Sequence, residues 1–150
     1  DFCLSRGLGD VYKRQLLGIS MRPPCELVVR YVLPTFRSLV ARELIEKHRF
    51  SQVDAAKRLG TTQAAISHYL YSRRGDKRMR QLETVPQVQN VASEVAQGIA
   101  SEDLSLTDTM LRFCKLCSTL RKQDIICNFH KGSVSSLPEA CDICPKTSHP

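Results

Sequence analysis

Cysteine thiols are the groups in this chain best placed to do chemistry. Seven occur in 150 residues, and five of them, Cys114, Cys117, Cys127, Cys141 and Cys144, fall within the last forty positions. They form two C-x-x-C pairs, Cys114/Cys117 and Cys141/Cys144, with Cys127 between them. Each such pair brings two thiolates to one centre, and two pairs complete a tetrahedron of sulfur around a metal. Neither a signal peptide nor a run of eighteen apolar residues is visible, so a cytoplasmic location without membrane contact is expected. There, cellular thiols keep disulfides reduced, and paired cysteines point to metal or redox chemistry.

Three chemistries suit this spacing. A structural zinc ion would take Cys114, Cys117, Cys141 and Cys144, leaving Cys127 without a task; neither pair carries the glycine turn of a zinc knuckle. An iron–sulfur cluster would take four of the five thiolates. "CDICP" has the cysteine–proline ending of ferredoxin-like ligand runs, without their full spacing. A thiol–disulfide switch needs no metal. His130, three residues beyond Cys127, adds another donor, and spacing alone does not separate iron–sulfur from zinc.

The elements that must position these groups begin with a basic half. Net charge is +7, but residues 21–82 hold thirteen Lys or Arg against five acids, whereas residues 83–150 hold six against eight. A basic module beside a near-neutral one is the footprint of a polyanion-binding head joined to a different unit. In "PTFRSLVARELIEKH", Phe36, Val40 and Leu44 recur every four residues, widened by Leu39 and Ile45, which predicts an amphipathic helix with Pro34 in its first turn. Ser51 is a good N-cap for "SQVDAAKRLG", and Gly60 supplies a stop that needs positive φ. A second short helix starts at Thr61 or Thr62 and runs through "TTQAAISHYL". Ala56 permits close approach, while Leu59, Ile66 and Tyr69 turn inward. Further on, Pro86 opens a helix whose stripe, Val88, Val91, Val95 and Ile99, packs on its own chain or on a second copy. The last helix is expected to present Met110, Cys114, Cys117 and Leu120 on one face.

Residues 51–70 resemble the helix-turn-helix of the lambda-repressor and Cro type, the XRE class, with Gln52, Ala56, Gly60, Gln63 and Ile66 at matching positions. In such a motif the second helix enters the major groove with its first turns against base edges. Thr62, Gln63, Ala64, Ser67 and His68 are the candidates there, and Gln63 can pair with adenine in a bidentate way. The resemblance further implies that Gln52 contacts a phosphate and braces Gln63. Arg73 and Arg74, followed by Lys77, Arg78 and Arg80, form a cationic run suited to phosphate. Over residues 21–150, from "PCELVVRYVLP" through "SQVDAAKRLGTTQAAISHYL", the chain resembles predicted archaeal transcriptional regulators with an XRE-type head and a cysteine-bearing tail. Members open with this Pro-Cys segment; from its own surroundings, Cys25 reads as a small buried residue. "SRGLGDVYKRQ" at residues 5–15 resembles a translated sequencing adapter and is set apart from the fold.

The expected fold class is therefore all-α, a lambda-repressor-like head followed by a small helical, cysteine-rich metal-binding tail. Residues 1–20 are expected to be a non-native or disordered leader, 21–82 the head, 83–103 a connecting helix and 104–150 the tail. The expected function is that of a sequence-specific DNA-binding transcriptional regulator responsive to metal or redox state. Its partners are double-stranded DNA and a second copy of itself, and its cofactor is an iron–sulfur cluster or zinc. The alternative is a nucleic-acid-associated interaction protein with a purely structural zinc tail. Neither a phosphate-cradling glycine loop nor a nucleophile, base and orienter set is present, so no enzymatic activity and no small-molecule substrate are expected.

Overall fold

Pro34 shapes the first helical rod of the computed structural model, which describes residues 22–71, 77–134 and 137–147. Proline has no N–H, and its ring meets the carbonyl four residues back in a regular α-helix. The chain answers by widening one turn. After α1 (Pro24–Leu27) comes a π-helical stretch, π1 (Val28–Val32), in which the Leu33 N–H bonds the Val28 carbonyl, and α2 (Leu33–Glu46) follows without a break. Pro34 thus lies in the first turn of α2, as expected, and α2 continues the rod begun by α1 and π1. Val28, Val32, Phe36, Val40 and Leu44 are all buried along it. Four-residue steps overshoot an α-helical turn by about 40° each; the wider turn takes up part of that drift and keeps the stripe on the core. Thr35 is fully buried, and its hydroxyl donates to the Tyr31 carbonyl at 2.7 Å.

Seven further helices follow among the described residues: α3 (Gln52–Arg58), α4 (Gln63–Tyr71), α5 (Lys77–Glu83), α6 (Pro86–Ala100), α7 (Leu106–Lys122), α8 (Ile125–Lys131) and α9 (Ile143–Thr147). Among the described residues the fold is all-helical, and no helix is long and apolar enough to cross a membrane. The larger core joins the α1–α2 rod to α6, α7 and α8 through Val32, Phe36, Val40, Leu44, Val88, Val95, Leu116, Leu120 and Ile126. Phe36 and Phe113 meet with ring centroids 5.2 Å apart, a tilted pair that ties α7 to α2. A second, smaller core of Ala41, Ala56 and Ile66 seats α3 and α4 on the other side of α2, with Leu59 and Tyr69 packed against it.

Helix α6 lies most extensively against α2, so its apolar stripe is covered within the chain. The buried set is Val88, Ala92, Val95, Ala96 and Ile99, with Val91 only half-buried. Of the two coverings open to this stripe, packing within one chain is the one observed. On α7 the face is rotated from the expected one: Phe113, Leu116, Cys117 and Leu120 turn inward, while Met110 and Cys114 are exposed. A capping box between Ser105 and Asp108 starts this helix.

Two glycines decide local geometry. Gly60 has φ +60°, and a Cβ there would meet nothing within 4 Å, so Gly60→Ala should lose about 1 kcal/mol through backbone strain alone. Gly98 lets the α6–α7 turn fold back, since its Cβ would lie 2.9 Å from Leu104 Cβ. Gly98→Ala should cost about 1–3 kcal/mol by overpacking. Urea unfolding checks both; because the closest contact is with Leu104 Cβ, an atom alanine retains, Leu104→Ala should leave most of the second cost in place.

Candidate nucleic-acid interface and thiol cluster

Capping groups set the spacing between α3 and α4. The Ser51 hydroxyl accepts the Asp54 N–H at 3.1 Å, and the Thr62 hydroxyl accepts the Ala65 N–H at 3.2 Å. Between these starts, Thr61 N–H bonds the Ala56 carbonyl at 3.0 Å and Gly60 N–H bonds the Lys57 carbonyl at 3.3 Å, a Schellman stop around the left-handed glycine. The turn therefore brings together the first residues of two helices. Gln63 Nε2 donates to Gln52 Oε1 at 2.8 Å. Gln63 is exposed and retains a second amide N–H and its carbonyl oxygen for an outside partner.

Thr62, Ala64 and His68 share this exposed edge, whereas Ser67 is half-buried. Arg73 and Arg74 lie outside the described residues. Arg42 braces α4 from below, its guanidinium reaching the Tyr69 carbonyl at 3.4 Å and Glu83 at 3.5 Å. The described members of the cationic run differ in their surroundings. Lys77 and Arg80 are exposed, but Arg78 donates to Tyr31 Oη at 3.0 Å and stacks 5.3 Å from its ring centroid. Its second nitrogen reaches the Gly132 carbonyl at 3.4 Å, so Arg78 joins the head to α8.

Arg121, one helical turn after Cys117 on α7, acts on the thiols of both Cys117 and Cys144. Cys127 and Cys144 are buried; burial, with Cys127 and Cys141 nearby, raises the Cys144 thiol, and Arg121 opposes the rise. Cys117 is half-buried and faces Cys114, Arg121 and Cys25. Cys25 is the member that sequence reasoning missed. It is exposed, and Arg121 Nη2 donates to its sulfur at 3.2 Å across ninety-six positions of chain. A lone cysteine beside a proline carries no spacing signal, and only the return of α7 past α1 reveals the contact. His130 is buried with Nε2 2.6 Å from the Arg22 carbonyl, so this ring nitrogen pins the start of α1 to α8. The donor chemistry fits a thiophilic metal. Among the described residues, though, no three of these side chains form a ready-made ion site; the thiols stand as two sets that share Arg121.

Burial, reinforced by the neighbouring Cys114, pushes the Cys117 thiol from 9.0 up to about 12. A raised folded-state value means that the unfolded chain releases this proton first. The stabilising contribution is then complete below about pH 9 and is lost as pH climbs toward 12. In reduced, chelator-treated protein, Cys117→Ser should flatten the alkaline limb of a stability-against-pH profile across that window, as read by urea unfolding. No family model, no curated protein and no solved structure matches this chain.

Proposed function

We propose that the protein is a sequence-specific DNA-binding transcriptional regulator that works as a homodimer and whose tail thiols hold a metal centre. The observation that carries the DNA reading is the Gln63–Gln52 hydrogen bond at 2.8 Å, formed between the first turns of α3 and α4 on an exposed edge. In a helix-turn-helix such an edge is what meets the duplex: α4 lies in the major groove, and α3 crosses the backbone. Gln52 holds the Gln63 amide in one orientation before DNA arrives, which removes a rotamer cost from binding. Gln63 then offers a donor and an acceptor to adenine, with Thr62, Ala64, Ser67 and His68 lining the same approach.

Charge supports the same reading. The head holds the excess of Lys and Arg, and Lys57, Lys77 and Arg80 are exposed on it. Phosphate contacts of this kind fix register and set salt dependence without choosing sequence. Selection of binding sites from a random duplex library, followed by footprinting of the winner, tests the proposal. The expected outcome is a two-fold symmetric site protected at both halves. Salt-sensitive binding to every duplex alike would instead leave a general nucleic-acid-associated protein.

On the selected site, Gln63→Ala should lose about 1–3 kcal/mol of discrimination at one base position of each half-site. Gln52→Ala should weaken binding by less and leave the preferred base unchanged. Lys77→Ala should weaken all sequences alike and lower the slope of log affinity against log salt by about one. Titrations by fluorescence anisotropy at several salt concentrations separate these three outcomes.

A further inference from the structure

Cys25 and Cys114 are both exposed, so the burial that accounts for most unpaired cysteines does not account for them. Cys25 stands on α1, in the head, and reaches the tail through Arg121 Nη2 at 3.2 Å. Cys114 and Cys117 come from α7, Cys127 from α8, Cys144 from α9 and Cys141 from the residues just before it. Arg121 contacts the Cys25 sulfur and acts on the Cys117 and Cys144 thiols, so one guanidinium links α1, α7 and α9, although Cys25 is eighty-nine positions from the nearest of the others in sequence. Hydrophobic packing accounts for Cys117, Cys127 and Cys144, which belong to the larger core, and gives no reason for the exposed Cys25 and Cys114. Coordination does, because a soft metal centre draws thiolates from any element that passes within reach.

Resting on the reading of the tail thiols as ligands, we propose that Cys25 is a ligand of the same thiophilic metal centre, so that the centre bridges the head helix α1 and the tail helix α7. Ligand thiols are bound as thiolates, and a set of four carries more negative charge than one guanidinium balances; the metal offsets most of the remainder. Arg121, already donating to Cys25, then stays as a hydrogen-bond donor to ligand sulfur. Zinc and an iron–sulfur cluster share this thiolate chemistry. Because α1 runs unbroken through π1 into α2, and α2 carries α3 and α4, the centre acts on the helix that seats the DNA-reading pair.

The test uses the full chain, reduced and purified without oxygen, in three forms: metal-free, loaded with zinc ion alone, and reconstituted with ferrous iron and sulfide. Each is pulsed with N-ethylmaleimide and labelling is read at every cysteine by mass spectrometry. Cys25 should be slowed at least about tenfold in one loaded form, together with tail cysteines. Which form protects identifies the metal. Cys25→Ser should weaken binding of cobalt(II), used as a coloured stand-in for zinc, by at least about tenfold, or leave the reconstituted cluster correspondingly labile. Helicity by circular dichroism shows whether that variant is folded, and the labelling of wild-type protein stands without it. If the tail cysteines are protected while Cys25 reacts at its metal-free rate, Cys25 is not a ligand and the tail centre survives. If no cysteine is protected in either loaded form, the centre itself falls. DNA binding, measured separately on the same samples, decides the other reading on its own.

Discussion

Helix α2 is the constraint on which the remainder of this structure depends. One side of it, Phe36, Val40 and Leu44, enters the larger core with α6 and α7, and Ala41 on its other side enters the small core under α3 and α4. Every one of those positions is nearly or fully buried, and Ala41 and Ala56 are the small side chains that allow the second approach. Removing side-chain volume from the Leu44 position would open a void shared by neighbours on several helices, a loss of about 2–5 kcal/mol in ordinary cores. A domain of this size has a margin of about 5–15 kcal/mol, so the two halves stand or fall together. The chain is thus less divisible than its charge asymmetry suggests. The acidic Glu102 on the α6–α7 turn pairs with Arg58 of α3 at 2.7 Å, and Arg78 spans Tyr31 and Gly132, so polar contacts follow the same union.

What could be read from the sequence follows the range of the interaction that produced it. Local devices were legible residue by residue. The Ser51 cap, the Thr62 cap and the positive φ of Gly60 are properties of three to six consecutive residues, and each is present. The stripe of Phe36, Val40 and Leu44 is likewise buried, because periodicity encodes which face is apolar. Periodicity does not encode what covers the face, and for α6 the cover turned out to be α2. Nor does it say how a helix is rotated when several faces compete. On α7, Phe113 and Leu116 outbid Met110 and Cys114 for the interior because an aromatic partner, Phe36, waits across the interface.

Pro34 shows a different limit. Proline near the start of a helix and proline tolerated inside one leave the same mark on a sequence, and the choice rests on whether the preceding residues gain more by staying helical. Here Leu27, Val28, Tyr31 and Val32 all bury apolar surface, which outweighs the lost hydrogen bond, and π1 absorbs the proline ring. The consequence for function is mechanical. An N-terminal helix that ended before Pro34 would leave Cys25 on a free arm, whereas the unbroken rod gives it a fixed lever into the head.

The cysteines were legible as chemistry and illegible as a place. C-x-x-C pairs announce that thiolates will be delivered together, but each pair spans about one helical turn, and nothing in it fixes what lies opposite. The arrangement around Arg121 supplies that missing half. A cation set among thiols opposes a bare metal ion at its own position, yet it favours the anionic thiolates that a metal requires as ligands. On the proposed reading Arg121 would favour a centre whose ligand shell is more negative than its metal is positive, which is the charge of a four-thiolate zinc site and of a thiolate-bound iron–sulfur cluster alike. With His130 tied to the Arg22 carbonyl at 2.6 Å, sulfur is the donor type that the cluster keeps in supply. A site built only from thiolates is sensitive to oxidants at every ligand. If four thiolates are what hold the tail to α1, loss of any one loosens the lever that ends at Gln52 and Gln63, and a chemical event at sulfur becomes a change in the pose of a DNA-reading helix.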